Sequence, residues 1–182
     1  MIRKSCERYI DIIDKRTEKV FAMHDQKLIA DYLRQCFVSV DGLWFMKAEE
    51  SADFEKALEL DIEVWKVLPK IEARIIQDIL GIGKGMEALQ QALEFKLSAE
   101  DSCFELSPLT SDGFTLDVRA CSWVAHIKKA NREQFLERIS ESICSLEYRT
   151  FVSEFGSDIM VEHDHGCCRS EGSCSFHCHT SR

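Results

Sequence analysis

Cysteine and histidine crowd into one short segment near the C-terminal end of this chain. Eight of the seventeen residues from 163 to 179 are of these two types. They are His163, His165, Cys167, Cys168, Cys174, His177, Cys178 and His179. Thiolate sulfur and imidazole nitrogen are the donors that zinc prefers in proteins, so the segment predicts a bound metal, zinc first. The alternative is a loop of reduced, partly exposed thiols beside a frayed chain end.

Asp61 is a second residue that could take part in binding or catalysis. It falls on the apolar stripe of a helical segment, where a solvated residue is not expected. A buried carboxylate needs a partner or a raised pKa. One interpretation is a polar contact in a pocket walled by Trp44 and Trp65. The other is a structural carboxylate paired with Arg74 or with a lysine from another helix.

Cys121 is the third candidate, because it ends a strand and precedes Trp123 and a helix that contains His126. A thiol at such a junction could be activated as a nucleophile by the helix N-terminus and a nearby imidazole. The alternative is a core thiol packed beside Trp123. Cys121 and Asp61 are therefore the catalytic candidates if the protein is an enzyme.

Arg119 lies on the strand face opposite Val118 and could hold a ligand carboxylate bidentately. It could also be a surface arginine paired with Asp117 or Glu105. Small-ligand sites are mostly apolar with a few placed polar groups. The residues predicted to contact a ligand are accordingly Trp44, Asp61, Trp65, Arg119 and Trp123.

The net charge and the composition restrict the possible binding partners and the expected cellular location. The net charge of -9 argues against nucleic acid and anionic membrane surfaces, because both need a basic footprint. The N-terminal residues are charged and lack the apolar stretch of a signal peptide, so we expect a cytoplasmic protein. Thiols stay reduced there, and the nine cysteines do not indicate a disulfide framework.

The elements that must position these residues are helical in the first half of the chain. Helical spacing covers residues 5–22, 26–39, a stretch from residue 43 onwards, 53–80 and 85–98. Asp41-Gly42 predicts a break, and Pro69 predicts a second break or kink inside 53–80. The glycines at 81, 83 and 85 predict a helix end and turn in preference to a phosphate-binding loop.

In the second half the hydrophobic period changes from 3.6 to 2. Residues 103–107 and 114–121 alternate around a turn and predict a β-hairpin. Helical spacing returns in 122–130 and 131–149, and 158–162 with 174–178 form a second strand pair. The sequence therefore predicts an α+β fold: a helical region, 1–99, and a mixed region, 100–182, with an antiparallel sheet of about four strands, together in one compact unit.

Short sequence patterns in this chain resemble those of known families. The closing pattern, Ile159-Met-Val-Glu-His163, then Cys168, then Gly172-Ser-Cys-Ser-Phe176, resembles the end of vinyl-4-reductase domains and of proteins grouped with L-2-amino-thiazoline-4-carboxylic acid hydrolase. The whole chain resembles an uncharacterised bacterial and archaeal cytosolic family related to both. The stretches 40–45, 57–65 and 121–123 carry that similarity.

The resemblance implies an α+β fold like that of TRAPP vesicle-tethering subunits, an apolar ligand pocket and a homodimer. In phenol-sensing regulators such a domain binds zinc through a cysteine at a helix end, an acid and two further cysteines. Carried over to this chain, that pattern gives Cys144, His165, Cys168 and Cys174, with His165 standing where the acid would be. Three thiolates and one imidazole make a chemically reasonable structural zinc site.

We therefore expect a zinc-containing cytosolic protein that binds a small, partly apolar molecule as a sensor or accessory module. Two alternatives remain open. One is a hydrolase that opens a C–N or C–S bond in a small heterocycle, as the thiazoline resemblance implies. The other is a scaffold without a ligand, since a fold does not fix a function.

Overall fold

A computed structural model describes residues 25–164 and 173–181 of the chain. The helix predicted for 5–22 lies outside these ranges, as do His165, Cys167 and Cys168. The chain divides into two compact units, Met1–Asp41 and Gly42–Arg182. The candidate site residues in the described ranges all belong to the second unit.

Four helices in the first described range precede the sheet. They are α1 (Gln26–Ser51), α2 (Phe54–Trp65), α3 (Leu68–Leu80) and α4 (Met86–Ala99). The predicted break at Asp41-Gly42 is wrong, because α1 runs through both residues. Glycine in a helix interior costs only about 1 kcal/mol relative to alanine, and aspartate costs less, so a helix of this length absorbs both.

The predicted break near Pro69 and the predicted helix end at Gly81 are confirmed. α2 ends at Trp65 and α3 begins at Leu68, with Pro69 in its first turn, where a missing N–H is harmless. Gly81 ends α3 in the left-handed conformation, with φ of 63°, and its N–H donates to the carbonyl of Gln77. The glycine-rich segment is therefore a helix end.

The sheet confirms the predicted α+β class. Its strands are β1 (Cys103–Leu106), β2 (Phe114–Ala120), β3 (Ile159–Asp164) and β4 (Cys174–Thr180). The order across the sheet is β1-β2-β4-β3, and every neighbouring pair is antiparallel. Between the two hairpins lie α5 (Ser122–Lys129), a short 3-10 turn (Glu133–Phe135) and α6 (Leu136–Val152). No helix in the described ranges is long and apolar enough to cross a bilayer.

One face of the sheet is buried and the other is open. Phe114, Leu116 and Val118 of β2 alternate inward, and the strand's intervening side chains point away from the core. The principal core joins this face to the helices on both sides of residue 99. Its members are Ala73, Ile76, Ala88, Leu89, Ala92, Leu93, Leu97, Phe114, Leu116, Val118, Tyr148, Phe151, Val152, Phe155, Ile159, Val161, Cys174, Phe176 and Cys178.

Candidate metal and ligand site

The end of β3 and the start of β4 are held to α6 by stacked rings. The ring of Phe176 stacks on Tyr148, with centroids 3.7 Å apart, and on His163, with centroids 4.0 Å apart. Ser145 Oγ lies 3.2 Å from His163 Nδ1, within hydrogen-bond distance. Since His163 pairs with Phe176 across the strands, these contacts place the middle of α6 over the Asp164 end of β3.

Two of the four predicted zinc ligands lie in the described ranges, and both belong to this end of the sheet. Cys144 is half-buried and lies one helical turn before Tyr148, on the same face of α6. Cys174 is buried and shares the inward face of β4 with Phe176, two residues further on. Tyr148 stacks on Phe176, so the two cysteines approach the same sheet end from a helix and from a strand.

The remaining predicted ligands, His165 and Cys168, lie outside the described residues. In sequence they fall between Asp164, where β3 ends, and Cys174, where β4 begins. Within residues 25–164 and 173–181, no three His, Cys, Asp or Glu side chains are arranged to hold a metal ion. The zinc set therefore stays a prediction, two of whose members share one end of the sheet.

His177 and His179 occupy the opposite face of β4 from Cys174. His177 is exposed, and its ring stacks with that of His179 at a centroid separation of 5.3 Å. His179 Nε2 lies 3.5 Å from Glu162 Oε1 on β3. An open groove of about 440 Å³ on this face is lined by Ser111, Asp112, Glu162, His177, His179, Thr180 and Ser181. Strand alternation thus separates both histidines from the thiol face of β4.

Cys178 lies on the inward face of β4 and is completely buried. Burial raises the pKa of its thiol to about 12, because desolvation penalises the thiolate. The thiol is therefore protonated at neutral pH, and Cys178 packs as a small apolar group.

The predicted ligand residues around Asp61 divide between core and surface. Trp65 is 4% exposed and meets the ring of Trp123 edge-on, with centroids 5.9 Å apart. Asp61 is half-buried one helical turn before Trp65, whereas Trp44 is 74% exposed. Arg74, one proposed partner of Asp61, makes a two-pronged ion pair with Glu154, with N–O distances of 2.8 and 3.1 Å.

Arg119 lies on the open face of the sheet, where its guanidinium donates to Glu105 Oε2 at 2.6 Å. The structure thus forms the surface pair that was the alternative to a ligand contact. Cys121 is the half-buried N-cap of α5, and the nearby His126 forms a 2.7 Å hydrogen bond from Nδ1 to the carbonyl of Ser122. The catalytic roles of Cys121 and Asp61 stay predictions.

A buried charge cluster is the feature that sequence reasoning missed. Lys96 of α4 is 5% exposed and forms ion pairs with Glu72 of α3, Glu100 at the end of α4 and Glu147 of α6. Its Nζ lies 3.0 Å from Glu72 and 3.1 Å from Glu147. The signal was present in the sequence, because Lys96 interrupts the apolar stripe of Leu89, Leu93 and Leu97.

The cluster holds three carboxylates and one ammonium, and its protonation follows from that imbalance. Burial raises the pKa of Glu147 to about 7; Lys96 opposes this shift, while Glu100 and Glu72 add to it. Burial by itself lowers the pKa of Lys96, but the charges of Glu147, Glu100 and Glu72 raise it well above its ordinary value. Lys96 therefore stays charged, while the pKa of the Glu147 carboxyl is raised toward neutral pH.

We expect the pH dependence of stability to change in the variant Glu147→Gln. The pKa of Glu147 in the folded protein exceeds its ordinary value of 4.5. The stabilisation that protonated Glu147 contributes to the folded state is therefore complete below pH 4.5 and is lost as the pH rises through about 7. Relative to the non-titrating variant, the wild type should lose up to about 3 kcal/mol of unfolding free energy between pH 4.5 and 8. Urea unfolding across this range measures the difference.

The matched control for that experiment is Glu141→Gln, because Glu141 lies on the same helix but is exposed. Its unfolding free energy should follow that of the wild type at each pH. Parallel curves for the wild type and Glu147→Gln would contradict a proton held by the buried cluster.

Comparison with known families places nearly the whole chain in one group. Residues 15–180 match the model of a family described as a family of unknown function (DUF6125). No curated protein and no solved structure matches the chain.

Proposed function

We propose that this chain, which belongs to the family of unknown function DUF6125, is a zinc-containing protein of vinyl-4-reductase type that binds a small, partly apolar molecule. One observation carries the metal part of the proposal. Cys144 and Cys174, which are 30 positions apart in sequence, lie at the same end of the sheet, and the segment richest in Cys and His connects the strands there.

The direction of α6 supports this placement. α6 leads into β3 through the short connection 153–158, so the helix and the strand run in opposite directions. The earlier residues of α6 consequently lie over the later residues of β3, as the bond between Ser145 and His163 demonstrates. Cys144 therefore lies beside the strand ends between which His165 and Cys168 occur in sequence.

The donor set fits zinc in its chemistry. Cys144 and Cys174 would act as thiolates, together with Cys168 and the imidazole of His165, and such a set is typical of closed structural sites. A bound zinc ion would supply a cross-link between α6 and the two strand ends. His163 is held by Ser145 and Phe176 just before this segment, and it would orient the segment without being a ligand.

The ligand part of the proposal rests on the second apolar cluster. Leu58, Trp65 and Ile143 form its buried centre, and Trp123 packs against it. Asp61 lies one helical turn from Trp65 on α2. Indole rings and a carboxylate are residue types that small-molecule sites commonly combine, with apolar walls around a few polar groups.

We expect protein purified without added metal, and free of metal-binding tags, to contain about one zinc per chain. The variants Cys144→Ala, Cys168→Ala and Cys174→Ala should each lose most of it, because a structural site needs all its thiolates. Elemental analysis by mass spectrometry measures the content.

Cys178→Ala is the matched control, since Cys178 is buried on the same strand face but keeps its proton. It should lose stability through the cavity it leaves and retain its zinc. A metal-free wild type would contradict the proposal, and so would equal zinc loss in Cys174→Ala and Cys178→Ala.

Ligand binding is tested separately by calorimetry with phenol as the probe. The zinc-loaded protein should bind phenol, and Asp61→Asn should weaken binding while Asp53→Asn, at the exposed N-cap of the same helix, should not. Release of product from L-2-amino-thiazoline-4-carboxylic acid would favour the hydrolase instead. Absence of both binding and turnover would favour the scaffold.

A further inference from the structure

The open face of the sheet carries a row of polar side chains that crosses three strands. His177 of β4 pairs directly with Thr115 of β2 on one side and with Glu162 of β3 on the other. His179 follows two positions further along β4 and therefore lies on the same face. Directly opposed residues of neighbouring strands have Cβ atoms about 5 Å apart, so the imidazole of His177 is within reach of the Glu162 carboxylate.

Neighbouring acceptors favour one tautomer of each imidazole. His179 Nδ1 lies 3.4 Å from the carbonyl oxygen of Thr180, which can only accept, so the neutral ring carries its proton on Nδ1. His177 Nδ1 lies 3.4 Å from Thr115 Oγ1, and this hydroxyl oxygen can accept in the same way. Both neutral imidazoles then present an unprotonated Nε2, which is the form of histidine that binds metal ions.

The Nε2 atom of His179 faces a carboxylate oxygen. Its distance to Glu162 Oε1 is 3.5 Å. In the neutral tautomer neither atom has a proton to donate, so two lone pairs face each other and a cation between them would satisfy both. Two donors that each lie about 2.1 Å from one tetrahedral zinc ion are separated by about 3.4 Å, which matches the distance between these two atoms.

The groove around these side chains favours a cation. Among the described residues that line it, Asp112 and Glu162 carry negative charge, and none is a lysine or an arginine. Within the described ranges no three donors already surround one point, so His177 has to turn toward the other two. Its side chain is exposed, and exposed side chains change rotamer readily.

We propose that Glu162, His177 and His179 bind a zinc ion on the open face of the sheet. Two imidazoles and one carboxylate are a donor set that zinc accepts, and they leave a fourth position for water or for a small ligand in the groove. Thr115 is a positioning residue, because it holds the Nδ1 side of the His177 ring. The site lies on the face of β4 opposite to Cys174 and is independent of the proposed thiolate site.

The exposure of this site distinguishes its zinc ion from the proposed structural one. The side chain of Glu162 is 75% exposed and that of His179 is 29% exposed. Three donors that are open to solvent release an ion more readily than a closed set of four. Desalting should therefore remove the zinc bound on the open face, and this ion does not add to the zinc that co-purifies with the chain.

Calorimetric titration of the desalted full chain with Zn²⁺ tests the site, at about pH 7.5, where most imidazoles are neutral. The wild type should bind one further zinc ion. His177→Gln, His179→Gln and Glu162→Gln should each weaken this binding by at least roughly tenfold, because each removes a ligand. Thr115→Val should weaken it by roughly tenfold, and Thr115→Ser should restore it, since serine keeps the hydroxyl.

Two control variants separate this site from other zinc-binding groups. His126→Gln removes a histidine of α5, which begins beyond the opposite end of β2, and it should bind the further ion like the wild type. Cys144→Ala removes a proposed thiolate ligand and should also keep the further ion. Circular dichroism establishes that each variant is folded before it is titrated.

Three results would overturn the proposal. The first is a desalted wild type that binds no further zinc. The second is a further ion that His179→Gln and His126→Gln bind equally well. The third is a further ion that Cys144→Ala loses and His179→Gln keeps, which would assign it to the thiols. Unchanged affinity in Thr115→Val would contradict the positioning role of Thr115.

Discussion

Lys96→Met is expected to lower the unfolding free energy by about 3–5 kcal/mol, because removing one member of a buried ion cluster leaves its partners uncompensated. Three carboxylates face the Lys96 ammonium, and Glu147 is itself buried. Methionine fills a similar volume, so the decrease in unfolding free energy would come from the missing charge more than from altered packing. Urea unfolding at pH 7 measures the change.

The control is Lys66→Met, since Lys66 is also paired with a glutamate but its side chain is 49% exposed. Exposed pairs contribute at most about 1 kcal/mol, so this variant should remain close to the wild type. The double variant Lys96→Met with Glu147→Gln should recover part of the stability. Equal losses in the two lysine variants would contradict a central role for Lys96.

Gly113→Ala is expected to cost at least about 3 kcal/mol, through backbone strain combined with a steric clash. Gly113 has φ of 113° at the start of β2, a conformation that side-chain-bearing residues rarely adopt. A methyl group there would overlap the carbonyl oxygen of Cys178 and lie 2.9 Å from its carbonyl carbon. Thermal unfolding should show a large drop in Tm, or the variant should fail to fold.

Gly42→Ala is the matched control, because Gly42 lies inside α1 and a methyl group there meets nothing within 4 Å. Alanine should raise stability by about 0.5–1 kcal/mol through helix propensity. If both alanine variants behave alike, the close approach of β4 to Gly113 is not a determinant of stability.

The two faces of β4 carry different side-chain types, with thiols on the buried face and imidazoles on the other. Cys174, Phe176 and Cys178 point into the core, and burial raises the pKa of the Cys178 thiol to about 12, so this thiol keeps its proton at neutral pH. His177 and His179 point to the open face beside Glu162. The proposed zinc site on Cys174 would therefore have to draw its imidazole from another element.

Periodicity predicted most of the elements because it depends on neighbours in sequence. The alternation of apolar and polar residues predicted both hairpins. Pro69 and Gly81 indicated helix ends through their own backbone preferences. The same local reasoning failed at Asp41-Gly42, where a long helix outweighs a small propensity cost. Trp44 and Trp65 look equivalent in sequence, yet one is exposed and the other buried, because burial depends on which helix face meets α6.

The amino-acid sequence by itself determined the α+β class, the donor types in the Cys- and His-rich segment and the separation of the β4 thiols from His177 and His179. All of these follow from residue types and their spacing within short segments of the chain. The tertiary structure decided that Cys144 and Cys174 share one end of the sheet and that Lys96 meets carboxylates from two other helices. Such contacts depend on the strand order β1-β2-β4-β3 and on how the helices pack against that sheet, and neither is encoded by the spacing within a single segment.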